Sequence, residues 1–414
     1  MRCSGLRRAL RLKPVSSNDI SIDYGTQQKV IELTYDPWQT PYSQRPSNHP
    51  RQFDVNAEPY VSFVSYFRND NYTSDFVLRV KRATRFLVGQ LQRAALESEV
   101  ILVEWNPPSD RPLIVESLGA LPQGGNVRVR AIIVGNEHHQ KFVGSQEWGM
   151  NPAAAANVGL RRAEGRFISP KAGDTYLSDE IIAMIARRDL HENALYRCDR
   201  CDVALSARDL EELEDRSLLA HLESMDSTRH SRMPHPPQWY IRDLHTNACG
   251  DFLLMSHRMW HTVRGFPLDS TVLSLDCDSL LMHTAAALGS HEICLPPSCR
   301  IFKGRHGHLF THRITQVWSP WQSKFDRFLA RLGWWRLQTL SRSLFDYPKR
   351  KVLGVESVLG PSIERNFVKP AEQWAHGTIP EISQPENWGL GDQSLEERVL
   401  CRAGWDTATG SAVS

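Results

Sequence analysis

NVGLRRAEGRFISPKAGDTYLSDEII, residues 157–182, decides the fold. A helical pattern over Ala153–Ala163 gives way to a short strand, RFIS (166–169), and then to the turn KAGD (171–174). A second helix is expected from Ser178 to Arg188, with Ser178 as its cap and Glu180 in its first turn. Helix, strand, turn and helix in this order read as part of an alternating α/β chain.

The alternation extends upstream. YVSFVSYF (60–67) is aromatic and β-branched, ends in the polar turn RNDNYTSD, and leads into a helical pattern from Phe76 to Ser98. VILVEW (100–105) stops at Asn106-Pro107-Pro108, and VRVRAIIV (127–134) follows a Gly-Gly turn. Parallel neighbours need crossovers, so this order predicts a mostly parallel sheet covered on both faces. Ligands on such sheets bind outside the carboxyl ends of the strands, which puts Arg68–Asp70 and Glu104–Asn106 at the binding edge.

Composition bounds the function. The 414 residues carry 49 Lys and Arg against 47 Asp and Glu, a balance that supplies no global field toward nucleic acid. No apolar run reaches the roughly 18 residues of a membrane span, and MRCSGLRRALRLKP lacks the apolar core of a secretory signal. A cytoplasmic protein is expected, with an organelle leader as the alternative reading of the basic start. The eight cysteines form no dense disulfide framework. Cys198 and Cys201 make one C-x-x-C, but a structural zinc site needs a second pair of ligands, and the alternation from Leu195 to Val203 suits a strand with cysteine as a small apolar residue.

Around the core lie extensions. Residues 1–55 are polar and Pro-punctuated, with a strand expected at Val30–Thr34. Residues 206–243 read as an insertion or lid whose helical stretch is EELEDRSLLAHLE (211–223). Apolar and basic residues alternate at helical spacing over 320–345, a pattern that suits a helix packed on the domain with a solvated basic face, or peripheral contact with a membrane surface. These features divide the chain into an N-terminal extension (1–55), a core domain (56–315) and a C-terminal extension (316–414), in which NWGLGD (387–392) stands out.

The order of blocks resembles inverting glycosyltransferases with the GT-A fold, family 2-like. VSYFRNDNY is similar to the first strand and nucleotide loop, and VILVEWNPP to the second strand with its terminal acid. The opening stretch resembles N-x-G-x-x-x-A-x-G followed by a strand and the D-x-D turn. GDFLLMSHRMWHTVRGF (250–266) is similar to the acceptor-side strand and helix, and DCDSLLMHTAAALG (276–289) to the helix opened by the catalytic acid. LHTNACGDF (244–252), RIFKGRHG (300–307) and NWGL resemble, more narrowly, a glycosyltransferase-like subfamily that shares these blocks.

The resemblance implies a Rossmann-like sheet, a nucleotide-sugar donor, an acceptor that is a glycan, lipid or small molecule, and Mn²⁺ or Mg²⁺ to offset the leaving diphosphate. By position it implies Glu104 as the nucleoside acid, Asp70 in the adjoining loop, Asn157 behind the diphosphate, and Asp174 as the last acid of D-x-D. Asp278 would be the base, with Asp276 as its alternative, and His306 a further metal ligand. Ala172 stands where the first acid belongs, which leaves the metal one ligand short and keeps open a non-catalytic binding or scaffold protein. Local physics offers other roles: Asp174 as a turn residue, Asp278 as a helix N-cap, Asn157 bonding a neighbouring loop, and Glu104 and His306 as solvated groups.

Overall fold

The computed structural model describes residues 59–70, 73–121, 125–230, 244–246, 248–268, 277–305 and 384–407. The strand expected at 30–34, the 320–345 helix, Asp276 and His306 lie outside the described residues.

The chain opens with β1 (Val61–Phe67), crosses back through α1 (Phe76–Arg93), and continues as β2 (Ser98–Trp105) and β3 (Val127–Val134). β1 pairs in parallel with β2, and β2 with β3. The helix expected to reach Ser98 ends at Arg93, because Ala94 donates back to Gln90 and Ala95 takes φ +49°, which releases the chain into β2. Val80, Leu87, Val88 and Leu91 of α1 bury one face of the sheet. On the other face lies α2 (Pro152–Arg162), started by Asn151, whose side chain accepts from the Ala154 N–H at 2.9 Å, with Pro152 in the first turn. Gly159 lets α2 touch the sheet: a Cβ there would lie 2.4 Å from Val64 Cγ1.

Beyond α2, β4 (Phe167–Ala172) returns to pair in parallel with the far side of β1. The order β3-β2-β1-β4 therefore reverses its winding between β1 and β4. The chain then forms β5 (Thr175–Leu177), α3 (Asp179–Ala186), β6 (Ala194–Arg197) and β7 (Asp199–Val203). Ser178 occupies the N-cap position of α3, yet its hydroxyl accepts from the Arg300 backbone N–H at 3.1 Å and caps nothing in the helix.

The alternation expected as one strand over 195–203 is divided at buried Cys198, with β6 in the large sheet and β7 in a second one. Both cysteines of the C-x-x-C are buried free thiols. The helix expected over 211–223 is two, α4 (Ala207–Glu212) and α5 (Asp215–Ser224), followed by β8 (Ser227–His230). Leu210, Leu218 and Leu222 pack against Phe86, Tyr176 and Phe302, so the described part of 206–243 is fastened to the domain.

The remaining strands and longer helices are β9 (Leu254–Ser256), α6 (His257–Val263), α7 (Cys277–Ala287), β10 (His291–Cys294), β11 (Arg300–Gly304) and β12 (Glu396–Cys401). The large sheet reads β10-β6-β9-β4-β1-β2-β3-β12, with β9 and β12 antiparallel to their neighbours, and the small one reads β5-β11-β7-β8. This is the α/β architecture that the alternation predicts: a mostly parallel central sheet flanked by helices. Among the described residues no helix is long and apolar enough to cross a membrane.

Candidate functional site

The winding reverses between β1 and β4, and at such a reversal open α/β sheets bind ligands in the crevice outside the carboxyl ends of their strands. Tyr66 stands near the end of β1, Lys171 near the end of β4, and Asp174 in the turn that follows. From the small sheet, β7 brings Arg200 and Asp202 and β11 brings Lys303. The loop 248–252 is held by Arg197, which donates to the carbonyls of His245, at 3.1 Å, and of Phe252, and it delivers Gly250 and Asp251.

Asp251 is the hub. Arg200 Nη1 lies 2.5 Å from one of its carboxylate oxygens and Lys303 Nζ 3.3 Å from the other. Arg200 also meets Asp202 at 2.9 Å, and His230 Nε2 lies 2.8 Å from the same carboxylate. Burial alone would raise the Asp251 pKa, but Lys303 and Arg200 hold it below the usual carboxylate range. Burial pushes the Lys171 amine down to about 8, against the pull of Asp174 and Asp251. Lys303 goes the other way, since Asp251 and Asp174 outweigh its burial.

Asp278, in the first turn of α7, accepts from the Gly250 N–H at 2.8 Å and from the Ser279 N–H at 2.9 Å. The Tyr66 hydroxyl donates to the Gly250 carbonyl at 3.3 Å. Gly250 is thereby gripped from both sides, and a Cβ on it would lie 3.0 Å from the Asp278 carboxylate. Burial raises the Tyr66 pKa well above its usual value, with added repulsion from Asp251, Cys277, Asp278 and Asp174.

The structure thus gathers Asp174 and Asp278, and adds Tyr66, Lys171, Arg200, Asp251 and Lys303, which the sequence reading leaves out. Of the other expected residues, Asp70, Glu104 and Asn157 stand outside this cluster. Asp70 pairs with Arg68 at 3.4 Å in the loop after β1, and burial raises its pKa. Glu104 is fully buried, and its two oxygens accept from the Ile114 N–H at 2.8 Å and the Val115 N–H at 3.1 Å, so it anchors the loop that follows β2. Burial pushes its pKa up to about 7 in spite of those two bonds. Asn157 is a structural anchor, whose amide donates to the Phe266 carbonyl at 2.8 Å and accepts from the Phe266 N–H at 2.7 Å, pinning the Gly265 turn. Another pair passed over in the sequence is His257 and His261, one helical turn apart, whose rings stack 4.3 Å apart with His261 edge-on to Trp388 of the late NWGL segment.

Among the described residues no group of three or more His, Cys, Asp or Glu side chains is arranged to hold a metal ion. Asp174 and Asp251 are the carboxylates at the expected place, and they share it with two ammonium groups and a guanidinium. Among the described residues a donor set so occupied by cations does not fit Mn²⁺ or Mg²⁺, which bind through clustered oxygen ligands, and His306, the other expected ligand, lies outside them.

No protein-family model matches the chain, and no curated protein matches it. Among solved structures, residues 1–349 of S. aureus TarS in complex with UDP-GlcNAc align at 15% identity over 61% of this chain and 60% of that one, with a TM-score of 0.40. The same fragment in complex with UDP aligns at 15% identity over 59% and 60%, with a TM-score of 0.36. The mannosyltransferase PcManGT from Pyrobaculum calidifontis, in complex with GDP-Man and Mn²⁺, aligns at 14% identity over 81% and 83%, with a TM-score of 0.38. The chain spans about 60% of the length of the TarS fragment. Overlaps of this size say nothing of which residues do chemistry here.

Proposed function

We propose that this chain is a glycosyltransferase that takes a sugar from a nucleoside-diphosphate donor and passes it, with inversion, to an acceptor hydroxyl. The observation that carries the reading is the loop at Gly250 and Asp251, where the Asp278 carboxylate accepts from the Gly250 N–H at 2.8 Å, the Tyr66 hydroxyl donates to the Gly250 carbonyl at 3.3 Å, and Lys303 reaches Asp251 at 3.3 Å. A crevice for an anionic leaving group needs cations, and attack by a hydroxyl needs a base. In the transfer, the acceptor oxygen bonds to the anomeric carbon as the sugar–phosphate C–O bond breaks. The electron pair leaves on the diphosphate, and the hydroxyl proton moves to Asp278.

The Gly250 N–H fixes the Asp278 carboxylate for this role. Asp70 and the loop anchored by Glu104 flank the crevice at the ends of β1 and β2, so Glu104 acts on a nucleoside through that loop. A protein that only binds nucleotide leaves Asp278 without chemistry to do.

Thermal shift with UDP and GDP, with and without Mn²⁺, tests the binding half, since a ligand selective for the folded state raises the melting temperature. Absence of any shift rejects the reading. Donor-sugar hydrolysis tests the base: Asp278→Asn is expected to lower the rate about 10²- to 10⁴-fold while nucleotide binding persists. Unchanged hydrolysis removes Asp278 from the mechanism.

A further inference from the structure

We propose that the charge of the leaving diphosphate is met in this crevice by the ammonium groups of Lys303 and Lys171, in the place where the D-x-D pattern would put a divalent cation. The inference rests on the donor-binding reading above.

Three observations converge. The first acid of the pattern is Ala172, and the residue before it is Lys171, whose side chain is 1% exposed at the end of β4. A second cation comes from a distant element: Lys303 of β11 reaches Asp251 at 3.3 Å. Third, both ammonium groups keep donors in hand. Each carries three N–H donors. Among the described residues the Lys171 nitrogen donates to the Ala172 carbonyl at 3.1 Å and the Lys303 nitrogen to Asp251. A divalent ion bound by Asp174 and Asp251 would face both ammonium groups at close range and be repelled by them. Phosphate oxygens at the same place would be attracted and hydrogen-bonded. Lys303, with 15% of its side chain exposed, is the group that a ligand reaches first, and the more deeply buried Lys171 adds its charge.

Calorimetric titration of the full chain with UDP and with GDP, first in EDTA and then with Mn²⁺ or Mg²⁺, tests this. The expected result is binding that survives EDTA. Lys303→Met is expected to weaken it roughly tenfold to a hundredfold, the worth of a hydrogen bond to a charged group, while Lys303→Arg keeps most of it. Asp251→Asn decides between the two cations even if Lys303→Met folds poorly. Releasing Lys303 and Arg200 from a carboxylate tightens diphosphate binding in EDTA if side chains hold it, and weakens metal-dependent binding if Asp251 is a metal ligand. Binding that appears only with Mn²⁺ or Mg²⁺, undiminished binding by Lys303→Met, or weaker binding by Asp251→Asn overturns the proposal and leaves the donor reading intact. No binding by the wild-type chain under any of these conditions overturns the donor reading itself.

Discussion

Two clusters of buried charge sit at opposite ends of the same sheet. At the amino ends of the parallel strands, Glu99 accepts from Ser62 Oγ at 2.7 Å, Arg128 at 2.7 Å, Arg130 at 2.8 Å and the Glu164 N–H at 2.9 Å. Burial would raise its pKa, but Arg130 and Arg128 overcome that and hold it below the usual range. Four bonds on two oxygens leave this carboxylate nothing to offer a ligand, and they tie β1, β2, β3 and the loop before β4 together. At the carboxyl ends, around Asp251, Lys303 and Lys171 each commit one of three N–H donors among the described residues. Saturation distinguishes a fastening from a site, even where the same residue types build both.

The largest expected effect falls on the fastening. Glu99→Ala takes from Arg128 and Arg130 the buried carboxylate they share, leaving them the more exposed Glu164 and Glu397, and should cost about 3 kcal/mol or a little more in chemical denaturation, with nucleotide affinity of the folded protein unchanged. A loss of affinity without a loss of stability would erase the contrast between the clusters. Next comes the acid at the other end of β2. The Glu104 pKa is raised to about 7 from an ordinary 4.5, so the folded chain keeps a proton that the unfolded chain has lost. Stability should therefore fall as pH rises through that window, by at most about 3 kcal/mol, and Glu104→Gln should remove the slope from the melting profile. Glu99, with its pKa lowered, contributes stability that is lost in the opposite direction, as pH falls through its folded pKa. The smallest effect is Asn157→Ala, which leaves the Phe266 N–H and carbonyl without their partner and should cost about 1–3 kcal/mol. Unaltered donor binding in that variant would confirm a fastening, and a selective loss of binding would move Asn157 into the site.

The parallel half of the sheet was legible because β1, β2 and β3 are short stretches rich in β-branched, aromatic and apolar residues and bounded by turn residues, a signal contained within each strand. The division at Cys198 was not: alternation shows which residues share a face and is silent on which sheet receives them. In the site, Asp174 and Asp278 could be read from local order, since each sits beside a turn or helix start. Asp251, in the loop before β9, and Lys303, on β11 of the small sheet, meet across 52 residues of sequence, and no local period encodes such a meeting. Asn157 shows the converse, because its place on the helix was readable while its partner, 109 residues away, was not.

The last strand has a consequence for synthesis. β12 covers the edge of β3, and Cys401 lies 267 residues beyond Val134. At ribosomal rates of about 5–20 residues per second, that edge stays uncovered for roughly a quarter of a minute to a minute after β3 is made. During that interval the nascent chain presents an unpaired strand, VRVRAIIV, to every neighbour on the polysome. Arg128 and Arg130, which later fasten Glu99, are then the charges that discourage it from pairing with another copy.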